Sequence, residues 1–228
     1  MSLQQDNIAA QIKSFPSMPG VAVKLLILMD DPEISVAQIE AVLGQDPGLM
    51  ANILRLANSA YFGMPSKVGS IKQALLLLGL KRLVQIVIAS CVSAIMDKPV
   101  TGYDLPPGEF WHHSVGVTVA AEGLMKELNI KTSEDIFTAA LLHDVGKLVV
   151  GDYIDNNIIQ IEGSTSQGIS FEKAENLVLG TNHADIGAQI LKKWSLPPVI
   201  VNTVRWHHSP ESAEKMVQDL DEEEGDGD

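Results

Sequence analysis

The sequence predicts an all-α fold, and three observations carry that prediction. Helix-start signals recur along the chain, while the alternating apolar and polar runs of half-buried strands are almost absent. Residues 136–150, Ile-Phe-Thr-Ala-Ala-Leu-Leu-His-Asp-Val-Gly-Lys-Leu-Val-Val, are apolar almost all round, as a helix sunk in a core would be. With 46% hydrophobic residues in 228 positions, the chain can fill the core of one large domain or of two closely packed lobes.

Ser35-x-x-Gln38 and Ser70-x-x-Gln73 read as capping boxes, and Asp46-Pro47 sets an N-cap before a proline at the first helical position. Helices are therefore expected to begin near 36, 47 and 71. Gly79 interrupts the apolar run from Ala74 to Ser90 and divides it into two packed helices. The loop Thr101 to Gly108, with Pro106 and Pro107, separates an N-terminal helical lobe, residues 1–105, from a histidine-bearing helical lobe, residues 106–218. Glu109 stands four residues before His113, so a helix there places both on one face. Ile161 to Ser170, rich in Gly and Ser, reads as a flexible loop between the helix of His143 and that of His183. Residues 219–228 hold seven acids and read as a disordered tail.

The first lobe carries little chemistry. Asn52, Arg55, Asn58 and Ser59 lie on a helix and its end, where capping, packing and pairing with a nearby acid account for them. Tyr61-Phe62-Gly63 anchors the following loop to the core, with Gly63 at a positive φ that other residues resist.

Bulk properties exclude some classes of function. The single Cys91 lies in an apolar run, cannot form an internal disulfide and suits a reducing, cytoplasmic setting. No secretory signal stands at the N-terminus, and Lys81, Arg82 and Gln85 break the most apolar stretch, Ala74 to Met96, so that no bilayer span is expected. The net charge is −13 and nothing resembles a basic stripe, so direct nucleic-acid binding would lack its main electrostatic attraction.

All six histidines fall in the second half, at His112, His113, His143, His183, His207 and His208, and His143 is followed directly by Asp144. Imidazole and carboxylate together suit Zn, Fe or Mn, so this set is what a pocket for one or two metals needs. Burying a polar group without a partner costs roughly 2–7 kcal/mol, and a cation between His143 and Asp144 would remove that cost. On a helix their side chains point about 100° apart, which lets the pair serve two neighbouring metals or lets Asp144 bridge. A lone core histidine is more often satisfied by a backbone carbonyl, but the same explanation is then needed five times. His112 is assigned to the exterior beside His113. Lys147, one turn beyond Asp144, reads either as its ion-pair partner or as a cation facing a ligand.

His113, His143-Asp144-x-x-Lys147, His183 and His207-His208 resemble the HD superfamily of metal-dependent phosphohydrolases. Phe15-Pro16-Ser17-Met18-Pro19, Asp31-Pro32, Gln45-Asp46-Pro47, Arg55-Leu56-Ala57-Asn58-Ser59-Ala60-Tyr61-Phe62-Gly63, Ser70-Ile71 and Leu78-Gly79 narrow that resemblance to the HDOD domain, the HD-related output domain of bacterial signalling proteins. Trp111-x-His113-Ser114, Leu141-Leu142-His143-Asp144-x-Gly146-Lys147 and Trp194-x-Leu196-Pro197 continue it, from about residue 10 to about 212. The resemblance implies a multi-helix domain whose N-terminal lobe packs on an HD-like lobe. It further implies a metal site at His113, His143, Asp144, His183, His207 and His208, with Glu109 as an additional candidate, holding one or two Fe, Mn or Zn ions or none.

Two departures from the active HD-GYP phosphodiesterases count against catalysis: no Gly-Tyr-Pro follows His207-His208, and the only later aspartates, Asp219, Asp221, Asp226 and Asp228, lie in the acidic tail. Losing that last carboxylate would leave a site that holds metal yet positions its hydroxide badly. The expected function is therefore a cytoplasmic signal-output or regulatory module with a metal-binding or vestigial HD site, engaging a signalling protein partner and, at most, a nucleotide ligand, with no nucleic acid and no membrane. The alternative is an active metal-dependent phosphodiesterase acting on nucleotides or cyclic dinucleotides, with Asp144 and Lys147 in catalytic roles. A third reading is a structural adaptor whose histidines are core polar groups.

Overall fold

The computed structural model describes residues 3–29, 34–63, 66–130 and 135–212. Among them lie twelve α-helices and no strand: α1 Leu3–Ser14, α2 Gly20–Met29, α3 Val36–Leu43, α4 Pro47–Ala57, α5 Ile71–Met96, α6 Glu109–Glu127, α7 Asp135–Leu142, α8 Lys147–Asn156, α9 Ile158–Thr165, α10 Phe171–Leu179, α11 His183–Lys193 and α12 Pro198–Trp206. The acidic tail lies outside the described residues.

The start signals at 36, 47 and 71 each place a helix. Ser35 and Gln38 form the full reciprocal box, and the Leu49 N–H donates to Asp46 at 2.9 Å. At α5 only half of the box forms: Ser70 accepts from the Gln73 N–H, but the Gln73 carbonyl accepts from Gly69 instead. Gly79 takes φ 79° and ψ 167° inside α5, so the two helices expected there run on with a sharp kink between them. By length and composition α5 is apolar enough to cross a bilayer, which the charges at Lys81 and Arg82 were expected to prevent; half of its most apolar window is buried in the protein. Leu83 to Ala89 form the centre of the main core, whereas Leu76 and Leu77, on the N-terminal side of the kink, face solvent.

That core runs through both halves of the chain, from Ile8 and Ile53 through Ile86 to Phe110, Leu141 and Val204. Each such side chain contributes about 1.5–3 kcal/mol on burial. A smaller cluster, Val150, Ile154, Ile161, Ala174 and Leu179, lies under α8, α9 and α10. It corrects the loop expected at Ile161 to Ser170. Ile161 is fully buried there and holds residues 158–165 helical, and only the turn around Gly168, at φ 87°, remains irregular.

A second correction bears on the site. Residues 136–150 are not one helix: α7 stops at Leu142, α8 starts at Lys147, and His143 to Gly146 form a tight turn with N–H groups donating three residues back. The cause is tertiary. Gly146 presses against the start of α11 so closely that an added Cβ would sit 1.9 Å from the His183 carbonyl oxygen. A similar approach fixes the turn Thr101–Tyr103 on α8, where a Cβ on Gly102 would lie 2.1 Å from the Gly151 oxygen. These two glycines bring the turn of His143, the head of α11 and Tyr103 to one place.

The N-terminus is also tied to the second half. The Lys193 ammonium donates to the carbonyls of Ile12, Lys13 and Phe15, at 3.2, 2.7 and 2.7 Å, and the Trp194 indole donates to Pro16 at 2.9 Å. The Lys193 ammonium thereby caps the carbonyls at the end of α1, sharing the Ile12 oxygen with the Phe15 N–H.

Candidate metal centre

The groups that meet at the centre come from five places: His113 from the second turn of α6, His143 and Asp144 from the turn after α7, Lys147 from the start of α8, His183 from the start of α11, and His207 and His208 from the end of α12. Asp144 is at the middle and is buried. Its Oδ2 lies 3.1 Å from His143 Nε2, 3.4 Å from His113 Nε2 and 2.6 Å from Lys147 Nζ. Its Oδ1 lies 3.3 Å from His183 Nε2 and 3.7 Å from His207 Nε2. Two donor groups result, His113–His143–Asp144 and Asp144–His183–His207–His208, each with ligand atoms within 4.8 Å of one another. One carboxylate oxygen faces each group.

The rings are held so that their lone pairs point inward. His143 Nδ1 donates to the Ala140 carbonyl at 2.8 Å and His207 Nδ1 to the Val204 carbonyl at 2.7 Å. A carbonyl can only accept, so the proton sits on Nδ1 and leaves Nε2 as a donor atom for a metal. His207 Nε2 is buried without any hydrogen-bond partner, and His183 Nε2 faces His208 Nε2 at 2.9 Å. Unpaired imidazole nitrogens and a shared carboxylate are a donor set that Zn, Fe or Mn satisfies, so the residues fit the metal the fold implies.

The electrostatics divide the ligand atoms of the metal-free cluster. Burial alone would raise the Asp144 pKa, but the surrounding His143 and His183 imidazoles and the charge on Lys147 outweigh it and hold the carboxyl far below its usual range. Burial opposes charge on His183 too, yet Asp144 and Glu175 lift it to about 9. His207 is driven down to about 4, first by burial and then by neighbouring imidazoles. The metal-free cluster thus keeps Asp144 anionic and His207 neutral, the forms in which both ligate metal, while His183 is held protonated and would have to release its Nε2 proton to ligate.

One site candidate stands apart from these donors. Glu109 is 59% exposed and faces His112 at 3.9 Å, because it sits at the solvent end of α6, one turn before His113. His112 is on the exterior, as expected. Lys147 is placed as the ion-pair partner of Asp144, with its ammonium 4.9 Å from the centre of the Tyr103 ring.

Two residues that hold the site are not evident from the sequence. Glu175 is fully buried; it accepts from His183 Nδ1 at 2.8 Å, from the His183 backbone N–H at 2.8 Å and from the Tyr103 hydroxyl at 2.6 Å. Such a carboxylate behind a ligating histidine fixes its tautomer and raises its basicity. A signal for it exists: Glu175 lies one residue after Ala174 and four before Leu179, on the apolar side of α10, where a lone acid needs a partner. Tyr103 has no such signal, since only the Gly102–Gly151 contact brings it there.

Residues 15–210 match the HDOD domain family. The chain belongs to the HDOD family. Among solved structures, an HDOD domain protein of unknown function from Geobacter sulfurreducens is 25% identical, with 90% of this chain and 70% of that one covered and a TM-score of 0.70. A protein from Shewanella amazonensis named as a candidate phosphohydrolase is 30% identical, with 91% and 74% covered and a TM-score of 0.74. A curated relative, an uncharacterized protein of Treponema pallidum, is 26% identical over 205 residues; the match takes in 89% of this chain but only 39% of that protein's length. The HDOD fold here is therefore shared with proteins that carry further segments.

Proposed function

We propose that this HDOD chain is a cytoplasmic signal-output module whose histidine cluster holds one or two divalent metal ions and contributes little or no phosphoester hydrolysis. The observation that carries the reading is Asp144, with one oxygen turned to each of two imidazole groups. His113 and His143 would hold one ion, His183, His207 and His208 the other, and Asp144 both. A metal bound there would supply a water acidic enough to ionise near neutral pH.

The surrounding side chains support holding an ion more than turning over a substrate. Lys147 is positioned to offset negative charge beside Asp144, and Glu175 keeps His183 oriented. Among the described residues no second carboxylate joins Asp144 in either donor group, which favours binding over turnover. Alignment of a nucleophile within a fraction of an ångström is a stricter demand than holding the ion. The output would then pass through a signalling protein partner.

Elemental analysis of protein purified without a histidine tag tests this reading. We expect one to two first-row metal ions per chain, lost in His143→Ala and retained in His112→Ala, with very weak hydrolysis of cyclic dinucleotides and nucleotides. A metal-free protein indifferent to added Zn, Fe or Mn would overturn the metal assignment. Robust hydrolysis abolished by Asp144→Ala would instead make the protein a metal-dependent phosphodiesterase.

A further inference from the structure

A cleft of about 260 Å³ opens where the first half of the chain meets α6 and α7. Leu56 and the stretch Ser59 to Phe62 line it from the first half, and chiefly Trp111, Val115 and Phe137 from the second. Packing was the role expected of the run Arg55 to Gly63, yet here that run leaves space unfilled. Protein interiors leave few voids larger than a water molecule, and a dry apolar cavity of roughly 150 Å³ already accepts benzene. The cleft therefore has room for one body of one or two fused rings. None of the donors of the metal centre lines it, so occupancy needs no metal.

The lining favours a ring over an alkyl chain. Four of its side chains are aromatic, and they stand at angles to one another: Tyr61 and Phe62 meet edge to face, with ring centres 4.7 Å apart, and Tyr61 is tilted 43° against Phe137 at 5.9 Å. Such walls offer both ring edges and ring faces, the contacts that an inserted aromatic ring makes best.

The polar atoms of the lining decide what else the ligand carries. No charged side chain borders the cleft. The Tyr61 hydroxyl is committed to Glu122, and the Thr118 hydroxyl donates to the Ser114 carbonyl at 2.8 Å. Among the described residues the Ser59 hydroxyl has no hydrogen-bond partner, and it does not cap the turn Ala60–Phe62 that it precedes. A charged group entering the cleft would lose its water without gaining a partner, whereas a single neutral polar group would find Ser59. We propose that this cleft binds an uncharged aromatic small molecule with one hydroxyl or ring N–H, its rings among Phe62, Trp111 and Phe137 and its polar group at Ser59. A peptide helix would need several anchors along a groove, and the cleft admits one body only.

Calorimetry with 2-naphthol and chelator-treated protein tests the proposal. We expect saturable binding of one molecule per chain, about fivefold tighter than the saturated analogue decahydro-2-naphthol, which keeps the hydroxyl but has no aromatic edge or face. The anion 2-naphthoate should bind at least about tenfold more weakly, because its charge finds no partner. Ser59→Ala should weaken 2-naphthol about fivefold and leave naphthalene unchanged. Ala89→Phe, which fills the cleft, should abolish binding of 2-naphthol and naphthalene alike; if that variant does not fold, Val115→Trp occupies the same space. Equal affinity for 2-naphthol and either analogue, 2-naphthol binding that ignores Ser59→Ala, or no saturable binding would overturn the proposal. So would binding lost in His143→Ala but kept in Ala89→Phe, which would put the ligand at the histidine cluster. A concentration-dependent dimer that Ala89→Phe dissociates would overturn it in favour of a second copy of the chain.

Discussion

The helix α6 carries a polar cluster near each end, and the two are finished to different degrees. Near its C-terminal end Glu122 accepts from Arg82 at 2.7 Å and from the Tyr61 hydroxyl, while Arg82 also donates to Gln85 at 2.9 Å. Every one of those polar groups has found a protein partner. Near the N-terminal end His113 enters a cluster in which His207 Nε2 is buried without a hydrogen-bond partner. Both clusters lie within one fold and on one helix, so burial alone does not separate them. What separates them is closure: the first network is complete within the protein, and the second leaves a buried ring nitrogen without a partner.

Asp144→Ala should break this contrast most severely. Removing the carboxylate common to both donor groups is expected to lower metal affinity by on the order of 100-fold or more, read by elemental analysis and by titration of the metal-free protein. Retained metal would mean that the histidines act without a centre. Next, a chelator should destabilise the wild-type protein. A ligand at 100 times its Kd stabilises by about 2.7 kcal/mol, and each kcal/mol is worth about 2–4 °C at this chain length, so the melting temperature should fall by several degrees in a thermal scan. The Tyr61–Arg82–Glu122 network should give no such response.

Glu175→Gln keeps the shape behind His183 but removes the charge that anchors its Nδ1–H and raises the basicity of Nε2. A loss of roughly 10- to 100-fold in metal affinity, with helical content unchanged by circular dichroism, is the expected result. Unchanged affinity would reduce Glu175 to packing. Tyr61→Phe should cost about 0.5–1.5 kcal/mol in denaturant titration and leave metal content as it was, since it removes one hydrogen bond from the closed network. A change in metal content there would show that the two ends of α6 are coupled. His112→Ala, at the exposed neighbour of His113, should stay within about 0.5 kcal/mol and lose no metal.

Helix starts are legible in the sequence wherever the signal is local. Ser35, Asp46 and Ser70 each act on N–H groups within three residues, and Gly79 and Gly63 take the positive φ angles that only glycine adopts freely. Ligand chemistry points to His113, His143, Asp144, His183 and one of His207 and His208, because histidine and aspartate in an apolar setting demand partners, and only the family resemblance supplies all six side chains that the structure brings together. The break at His143 to Gly146 is not legible. A run that is apolar all round looks the same whether it is one helix or two, and the deciding contact is between Gly146 and a residue 37 positions later, His183. Residues 158–165 are hidden for the opposite reason: glycine and serine suggest a loop, and burial of Ile161 overrides them. Glu175 shows itself only as a misplaced charge, and Tyr103 not at all.

The lysine at 193 has a consequence for biosynthesis. Its ammonium group completes the carbonyls that end the first helix, 181 positions earlier in the case of Ile12. A ribosome makes the N-terminus first, at about 5–20 residues per second, so α1 spends on the order of ten seconds or more without its cap. Contacts of such sequence separation also slow folding itself, because a long loop must close before they reward it. A nascent chain stalled before residue 193 should therefore leave α1 open to limited proteolysis, and release of the stall past residue 194 should protect it.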